Sequence, residues 1–307
     1  MSAARPDPKF ARPLVTGATG FIGMHLFRRL ADAGLRPVAL VRPSSDAARV
    51  DTLRGIGEVA VAGDEQGELE EIFARAQPDV VFHLAARYVA THTPQDITDL
   101  IADNVGLTAR ICEAATGTGC RNLVYAGTCW QHAGSAPGDP TPTPNTLYAA
   151  SKQAGDDIID YYTCNRGLNA ATLKIYDSYG PGDPRPKFLT VLADATARGE
   201  TLKASPGDQL LHTVHVDDLV DGFVHAGSLL TSGELTGRHG FTLPTPRAIT
   251  LRELAQTWAR AAGVELSVEW GAMPHRPGVV MVPWEGTPLP GWTPRIALED
   301  GLRALQD

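Results

Sequence analysis

Long apolar runs are missing from this sequence. Nowhere among its 307 residues does a stretch reach the roughly 18 consecutive apolar residues of a membrane helix, so no membrane partner is expected. Cysteine is scarce, with only Cys112, Cys120, Cys129 and Cys164. None form a C-x-x-C pair, which excludes the usual zinc and disulfide patterns and fits reduced thiols in a cytoplasmic protein. The segment from Met1 to Lys9 carries no apolar core, so export is not expected. Basic blocks are absent too. With 27 Lys and Arg against 35 Asp and Glu, the net charge is −8, and nucleic acid is not expected as the main partner. What is left is the mix of an ordinary folded chain, 43% apolar and 20% charged, long enough to bury a sizeable core.

Short apolar, β-branched runs recur at Pro13–Thr16, Pro37–Val41, Val59–Ala62, Val80–Leu84, Leu123–Ala126 and Ala171–Ile175. Helical periodicity fills the gaps near Phe21–Ala33, Glu68–Ala76, Pro94–Thr116 and Leu147–Arg166. Near-continuous apolar strands are buried on both faces, and strand–helix alternation builds βαβ units. The expected class is α/β, a doubly wound parallel sheet. Residues 1–176 should form a dinucleotide-binding domain that carries the catalytic groups. Residues 177–307 should form mainly a smaller substrate-binding lobe, with some elements interleaving. The Pro/Gly-rich stretch 179–187 predicts neither strand nor helix, while helical patterns return at Phe188–Arg198, Asp217–Leu229, Leu251–Ala262 and Ile296–Leu305. In such sheets ligands lie beyond the carboxyl ends of the strands.

Gly17, Gly20 and Gly23, with Thr19, Phe21 and Ile22 between them, follow the first strand and open the first helix. Glycines at this turn allow the tight bend, the close approach of backbone to a pyrophosphate, and helix-on-strand packing. The helix N-terminus then offers free N–H groups to the anion. The second strand ends in Arg42 with Ser44 and Ser45 behind it, and no carboxylate precedes Asp46. A carboxylate there would grip the 2′-hydroxyl of NAD, whereas a guanidinium with hydroxyls suits a phosphate. NADP(H) is the expected cofactor, unless Arg42 is only a solvated surface charge.

Tyr148 and Lys152 stand i,i+4 on one helix face. A neighbouring ammonium is expected to lower the tyrosine pKa and make it a usable acid/base near neutrality. Thr128, at the end of the fifth strand, could hold a carbonyl that Tyr148 protonates, or could simply bond turn backbone. The connection that follows, from Cys129 to Thr146, is long enough to suggest function. His83 reads as a hydrogen-bonded core histidine. His212 and His215 fall on opposite strand faces, so no metal site is expected. Asp217 and Asp218 suit the start of a helix.

The sequence resembles the extended short-chain dehydrogenase/reductase family of nucleotide-sugar epimerases, dehydratases and reductases. The matching residues are Thr16-Gly-Ala-Thr-Gly-Phe-Ile-Gly23, Asp64, Asp79-Val-Val-Phe-His-Leu-Ala-Ala86, Asn104, Thr128, Tyr148 with Lys152, Tyr179-Gly-Pro-Gly-Asp183 and His215-Val-Asp-Asp218. The resemblance implies a Rossmann-like domain with Leu84, Ala85 and Ala86 lining the cofactor. It implies that Lys152 holds the nicotinamide ribose, that Asp64 contacts adenine and that Asn104 relays protons through water. Homodimers through the helices around 94–116 and 147–166 are implied as well. Gly127-Thr-Cys-Trp-Gln-His132 and Asp177-Ser-Tyr-Gly-Pro-Gly-Asp-Pro-Arg-Pro-Lys187 look most like the 4-ketoreductases of deoxysugar pathways. That likeness places Trp130, Gln131, His132, Asp177 and Ser178 at the sugar. Lys187 and Arg276 are candidates for the diphosphate, or else solvated charges.

Three departures qualify the match. Cys129 and Trp130 stand where 4,6-dehydratases carry an Asp-Glu pair, which argues against dehydration. Asp177 replaces a frequent asparagine, and Glu65 a frequent leucine. The expected activity is NADPH-dependent reduction of the C4 ketone of a nucleotide-linked 4-keto-6-deoxyhexose. A nucleotide-sugar epimerase that retains its cofactor, and a non-catalytic dinucleotide sensor, are the alternatives.

Overall fold

A computed structural model of the chain describes residues 7–276 and 278–305. The first six residues, part of the stretch read above for an export signal, lie outside these, as do Pro277 beside Arg276 and the last two residues. The first half runs β1 (Pro13–Thr16), α1 (Phe21–Asp32), β2 (Val38–Val41), α2 (Ala47–Arg54), β3 (Glu58–Val61), α3 (Gln66–Ala76) and β4 (Val80–His83). It continues through α4 (Ile97–Ile101), α5 (Leu107–Gly117), β5 (Asn122–Thr128), α6 (Leu147–Arg166) and β6 (Asn169–Ile175). Beyond these come β7 (Asp177–Tyr179), α7 (Phe188–Ala197), β8 (Leu202–Ala204), β9 (Leu210–Leu211), β10 (Thr213–His215) and α8 (Val216–Thr231). The chain closes with β11 (Arg238–Thr242), β12 (Ile249–Thr250), α9 (Leu251–Ala262), β13 (Val268–Trp270) and α10 (Leu298–Arg303).

Seven strands form one sheet in the order β11-β6-β5-β4-β1-β2-β3, with every pair parallel. The layout is Rossmann-like. Strands β1, β2 and β4 are buried at every position, whereas edge strand β3 is largely exposed. One face packs on α1 and α8 through Leu26, Phe27, Phe223 and Val224. The other packs on α3, α5 and α6 through Ile72, Phe73, Ile111 and Ile159. Apolar side chains on both faces explain the continuous strand runs. A third cluster, around Leu192, Leu254, Trp258 and Leu302, forms the smaller lobe. Its helix α9 begins with a reciprocal cap between Thr250 and Glu253 and ends at Gly263 in the left-handed region.

Several elements differ from the sequence expectation. Helix α2 has only Val50 and Leu53 buried, too few to show a period; its sign is Asp46, whose side chain caps the Arg49 N–H at 2.9 Å. The helix expected over 94–116 is broken into a 3-10 turn at Pro94–Asp96, α4, a π turn at Ala102–Gly106, and α5. Strand β7 enters the Pro/Gly stretch to pair with β10. Strand β11 completes the main sheet and α8 packs against α1, so residues beyond 176 serve both lobes. Asp217 and Asp218 do occupy the first turn of α8. No helix among the described residues is long and apolar enough to cross a membrane.

Candidate active site

The glycine turn after β1 is fixed by close packing. Gly17 has φ +71°, and a Cβ there would stand 2.6 Å from the Ala85 nitrogen. A Cβ on Gly23 would run into the Gly17 carbonyl. Only glycine therefore allows α1 to start directly behind β1. No side chain caps α1, so its first N–H groups are available to an anion. The Ala85 N–H donates to Thr16 Oγ1 at 3.1 Å, which holds the Leu84–Ala86 segment beside the turn. Thr16 Oγ1 also lies 2.7 Å from His83 Nδ1, and His83 Nε2 lies 3.0 Å from Thr108 Oγ1. Burial pushes His83 down to about 3, so it is a neutral, hydrogen-bonded core residue.

Helix α6 starts at Leu147 behind Thr146, whose side chain accepts the Ala149 N–H at 3.1 Å. This cap sets Tyr148 and Lys152 in the first turns. Lys152 is 1% exposed, and its Nζ has no hydrogen-bond partner, lying 3.9 Å from the centroid of the Tyr125 ring. Burial lowers its pKa to about 7, against the opposing pull of Asp156. An orphaned buried ammonium needs a polar partner. Together with the glycine cradle, it fits a dinucleotide whose ribose hydroxyls would supply one. Tyr148 departs from expectation: burial, then Tyr88, push its phenol above the usual range, and the opposing charge is Arg185 rather than Lys152. The phenol therefore stays protonated. The Thr128 hydroxyl accepts the Trp130 N–H at 3.3 Å, which leaves its own proton to donate.

Around Tyr148 the structure gathers aromatic and charged groups from both lobes. Tyr88 lies edge-on to Tyr148 at 5.0 Å and to Trp130 at 6.1 Å. No motif marks Tyr88 in the sequence, although it sits two residues beyond Ala86 at a strand's carboxyl end. Asp177, Arg276 and Arg185 all act on Tyr88, which draws both lobes to one place. Arg185, within the 177–187 stretch but not singled out as a site residue from the sequence, is clamped by Asp183 at 2.6 Å, donates to Ser178 Oγ at 3.0 Å and lies 4.8 Å over the Phe21 ring. Lys187 donates to the Ser178 carbonyl at 2.6 Å and to Asp177 at 3.4 Å.

Other expected site residues are placed elsewhere. Gln131 is completely buried; it accepts the Thr128 N–H and donates to Gln153 and Asp156, so its whole amide is spent on framing Thr128. His132, 1% exposed, stacks on Trp284 and contacts Lys174, away from the Tyr148 cluster. Asn104 gives both its N–H groups to the Arg87 carbonyl and Ser151 and accepts the Arg87 N–H. It ties β4's outgoing loop to α6, and both of its amide protons are committed to that tie. Asp64 is 99% exposed and pairs with Arg110 at 3.3 Å. Arg42 does not stand free: its Nη1 donates to both Asp103 oxygens at 3.0 Å, while its N–H uses the Ser45 hydroxyl. Arg49, on the unforeseen α2, reaches the Thr19 carbonyl at 2.7 Å and brings a second guanidinium to the glycine turn. Cys129 donates to the Lys174 carbonyl at 3.1 Å, and burial raises its thiol, so it offers no acid for elimination.

A glycine-cradled helix start and a Tyr-x-x-x-Lys helix on a seven-stranded parallel sheet define a nicotinamide-dependent enzyme class. The chain matches the NAD dependent epimerase/dehydratase family over residues 13–235, and it belongs to that family. It is 31% identical to a UDP-glucose 4-epimerase of Mycolicibacterium smegmatis over 95% of this chain and 96% of that protein. It is 26% identical to a CDP-abequose synthase of Yersinia pseudotuberculosis, covering 79% of this chain and 82% of that one. Among solved structures, MoeE5 in complex with UDP-glucose and NAD superposes with a TM-score of 0.79 at 25% identity, over 96% and 97% of the two chains.

Proposed function

We propose that this protein reduces the C4 ketone of a nucleotide-linked 4-keto-6-deoxyhexose with NADPH. The observation that carries the reading is the half-buried Tyr148 phenol, edge-on to Tyr88, which in turn lies edge-on to Trp130. A ketone reduction needs a proton donor at the start, and a tyrosine phenol is protonated at neutral pH. The apolar faces of Tyr88 and Trp130 suit a sugar whose C6 is a methyl group. A bound nicotinamide would supply the hydride. Thr128 hydrogen-bonds the ketone oxygen through its hydroxyl, and Tyr148 transfers the one proton that the reduced oxygen needs. Lys152 holds the cofactor ribose, and Asn104 keeps α6 in register with the loop after β4. Arg185, Lys187 and Arg276 supply the positive charge that a diphosphate requires. The likeness to the abequose synthase supports the substrate class.

A second reading is nucleotide-sugar epimerisation with retained cofactor. Two observations favour it: the 31% identity to an epimerase, and the Asp103 carboxylate that already neutralises Arg42, where NADPH would need a free guanidinium. For either activity we place a homodimer contact on α4, α5 and α6, which expose Ile97, Ile101 and Tyr161. The test follows NADPH absorbance with dTDP- and CDP-linked 4-keto-6-deoxyhexoses. Oxidation of NADPH in step with product supports the reductase. Isomerised sugars without net NADPH loss would select the epimerase.

A further inference from the structure

A second chamber, of about 440 Å³, opens against the carboxyl halves of β6 and β11. His132, Lys174, Trp284, Gly138, Gly240 and Gly286 bound it, and neither Thr128 nor Tyr148 is part of its wall. Lys174 stands near the end of β6, in register with Gly127. Its Nζ donates to His132 Nε2. The imidazole in turn lies flat on Trp284, with ring centroids 3.7 Å apart and planes 7° from parallel, and Trp284 also lies 5.4 Å from the Lys174 ammonium. The indole is pinned by its own N–H, which donates to the Asp139 carbonyl at 2.8 Å.

Lys174 is a half-buried cation short of a counter-charge. From α6, Asp156 and Asp160 act on it, but Arg238 of β11 takes both: the first by a close contact, the second at 2.5 Å. Cys129 at the end of β5 is held neutral by burial. Asp139 acts on His132 from the following loop, and Glu285 lies on the chamber wall. Among the described residues Lys174 forms no ion pair. The lysine–histidine contact itself can hold only one proton between its two nitrogens, because His132 Nε2 must offer a lone pair to accept. Burial and Lys174 accordingly push His132 down to about 4.

We propose that this chamber is a binding site for a small oxyanion, a phosphate or carboxylate group, and that the anion enters together with one proton. The anion supplies the missing counter-charge to Lys174. As the Lys174 ammonium turns from His132 to the anion, the imidazole Nε2 is released and takes up a proton, which the anion's charge balances. Phosphate and carboxylate both present the acceptor oxygens this pair lacks. Gly286 is fixed for the same geometry, since a Cβ there would strike the Trp284 ring and stand 2.8 Å from Thr242 Cγ2. The chamber's chemistry is independent of the reaction proposed at Tyr148.

Calorimetric titration of the full chain tests it, with inorganic phosphate and with acetate, near pH 6.5, in two buffers of different ionisation heat. The expected result is saturable binding with net proton uptake approaching one per site, weakened at least about tenfold in Lys174→Gln. Binding of phosphate alone or of acetate alone supports the site and identifies the group it takes. Absence of saturable binding by either up to about 10 mM overturns the proposal. Binding that Lys174→Gln leaves unchanged overturns it as well. Should that variant not fold, the parent's proton count decides, and anion binding without proton uptake rejects the site.

Discussion

Gln131→Leu probes the buried frame behind Thr128. Gln131 is wholly inaccessible, and each part of its amide is used: Oε1 accepts the Thr128 N–H at 2.9 Å, and Nε2 donates at 2.8 Å to both Gln153 and Asp156. Leucine of similar size keeps the packing and loses all three bonds. The Thr128 N–H is then buried without an acceptor, at about 1–3 kcal/mol, and Asp156 loses a charge-assisted donor, at about 1.5–3 kcal/mol. Asp156 still has Thr172 at 2.5 Å and Arg238, so the second figure falls at its lower end. The sum is about 2.5–4.5 kcal/mol. With an unfolding entropy of about 2 cal/mol/K per residue, this lowers the Tm by about 5 °C. Differential scanning calorimetry measures it. Gln131→Glu sharpens the test. The introduced carboxylic acid, while protonated, donates to Asp156 as the amide did; once ionised, it sets two carboxylates face to face. Its folded-state pKa therefore lies above its unfolded value near ~4.3. Its contribution is thus present below that unfolded value and lost as pH rises through the folded one. A Gln131→Leu protein that melts within about 1 °C of the parent, or a Gln131→Glu protein whose deficit does not grow with pH, would refute this account of the frame.

Tyr148→Phe should lower turnover by about 10²–10⁴ and leave NADPH binding intact by fluorescence titration; near-normal turnover would remove Tyr148 from the proton path. Lys152→Met should stabilise the cofactor-free protein at pH 7 while weakening dinucleotide binding. The lysine's pKa falls from 10.5 unfolded to about 7 folded, so the parent loses stability as pH drops through that window; thermal melts across it give the comparison. Arg42→Ala should reduce the preference for NADPH over NADH by about tenfold, and Asp103→Asn should increase it. Equal affinities for both cofactors in all three proteins would show that Arg42 does not choose between them.

The glycine turn and the Tyr148–Lys152 helix were legible because their physics is local. A turn that needs Gly17, and an i,i+4 pair on a capped helix, are set by neighbours within a few residues. The sheet was legible for a related reason, since its central strands are buried on both faces and read as unbroken apolar runs. Where the sequence misled, long-range partners decided. Gln131 and His132 sit in a loop that sequence places near the sugar, yet Asp156 from α6 and Lys174 from β6 draw their side chains aside. Arg42 reads as free because its partner, Asp103, lies 61 residues away. Arg49 could not be weighed, since α2 shows no apolar period and rests on the single cap at Asp46.

Charge balance around the carboxylates of α6 ties these observations together. Three buried or half-buried cations, Lys152, Lys174 and Arg238, meet two carboxylates, Asp156 and Asp160, and Arg238 pairs with both. Guanidinium is the natural winner, because its planar fork engages two acceptors at once and cannot be deprotonated. Both lysines are left with attraction from Asp156 but no direct ion pair to it, and both are lowered by burial. The shortfall serves two openings. Beside the glycine cradle, Lys152 keeps N–H groups for ribose hydroxyls; in the chamber by Trp284, Lys174 keeps positive charge for an anion. A fold optimised only for stability would replace such lysines with apolar side chains of similar volume, since a buried cation without a partner opposes folding. Their presence on either side of Asp156 therefore points to what each receives, more than to what holds the chain together.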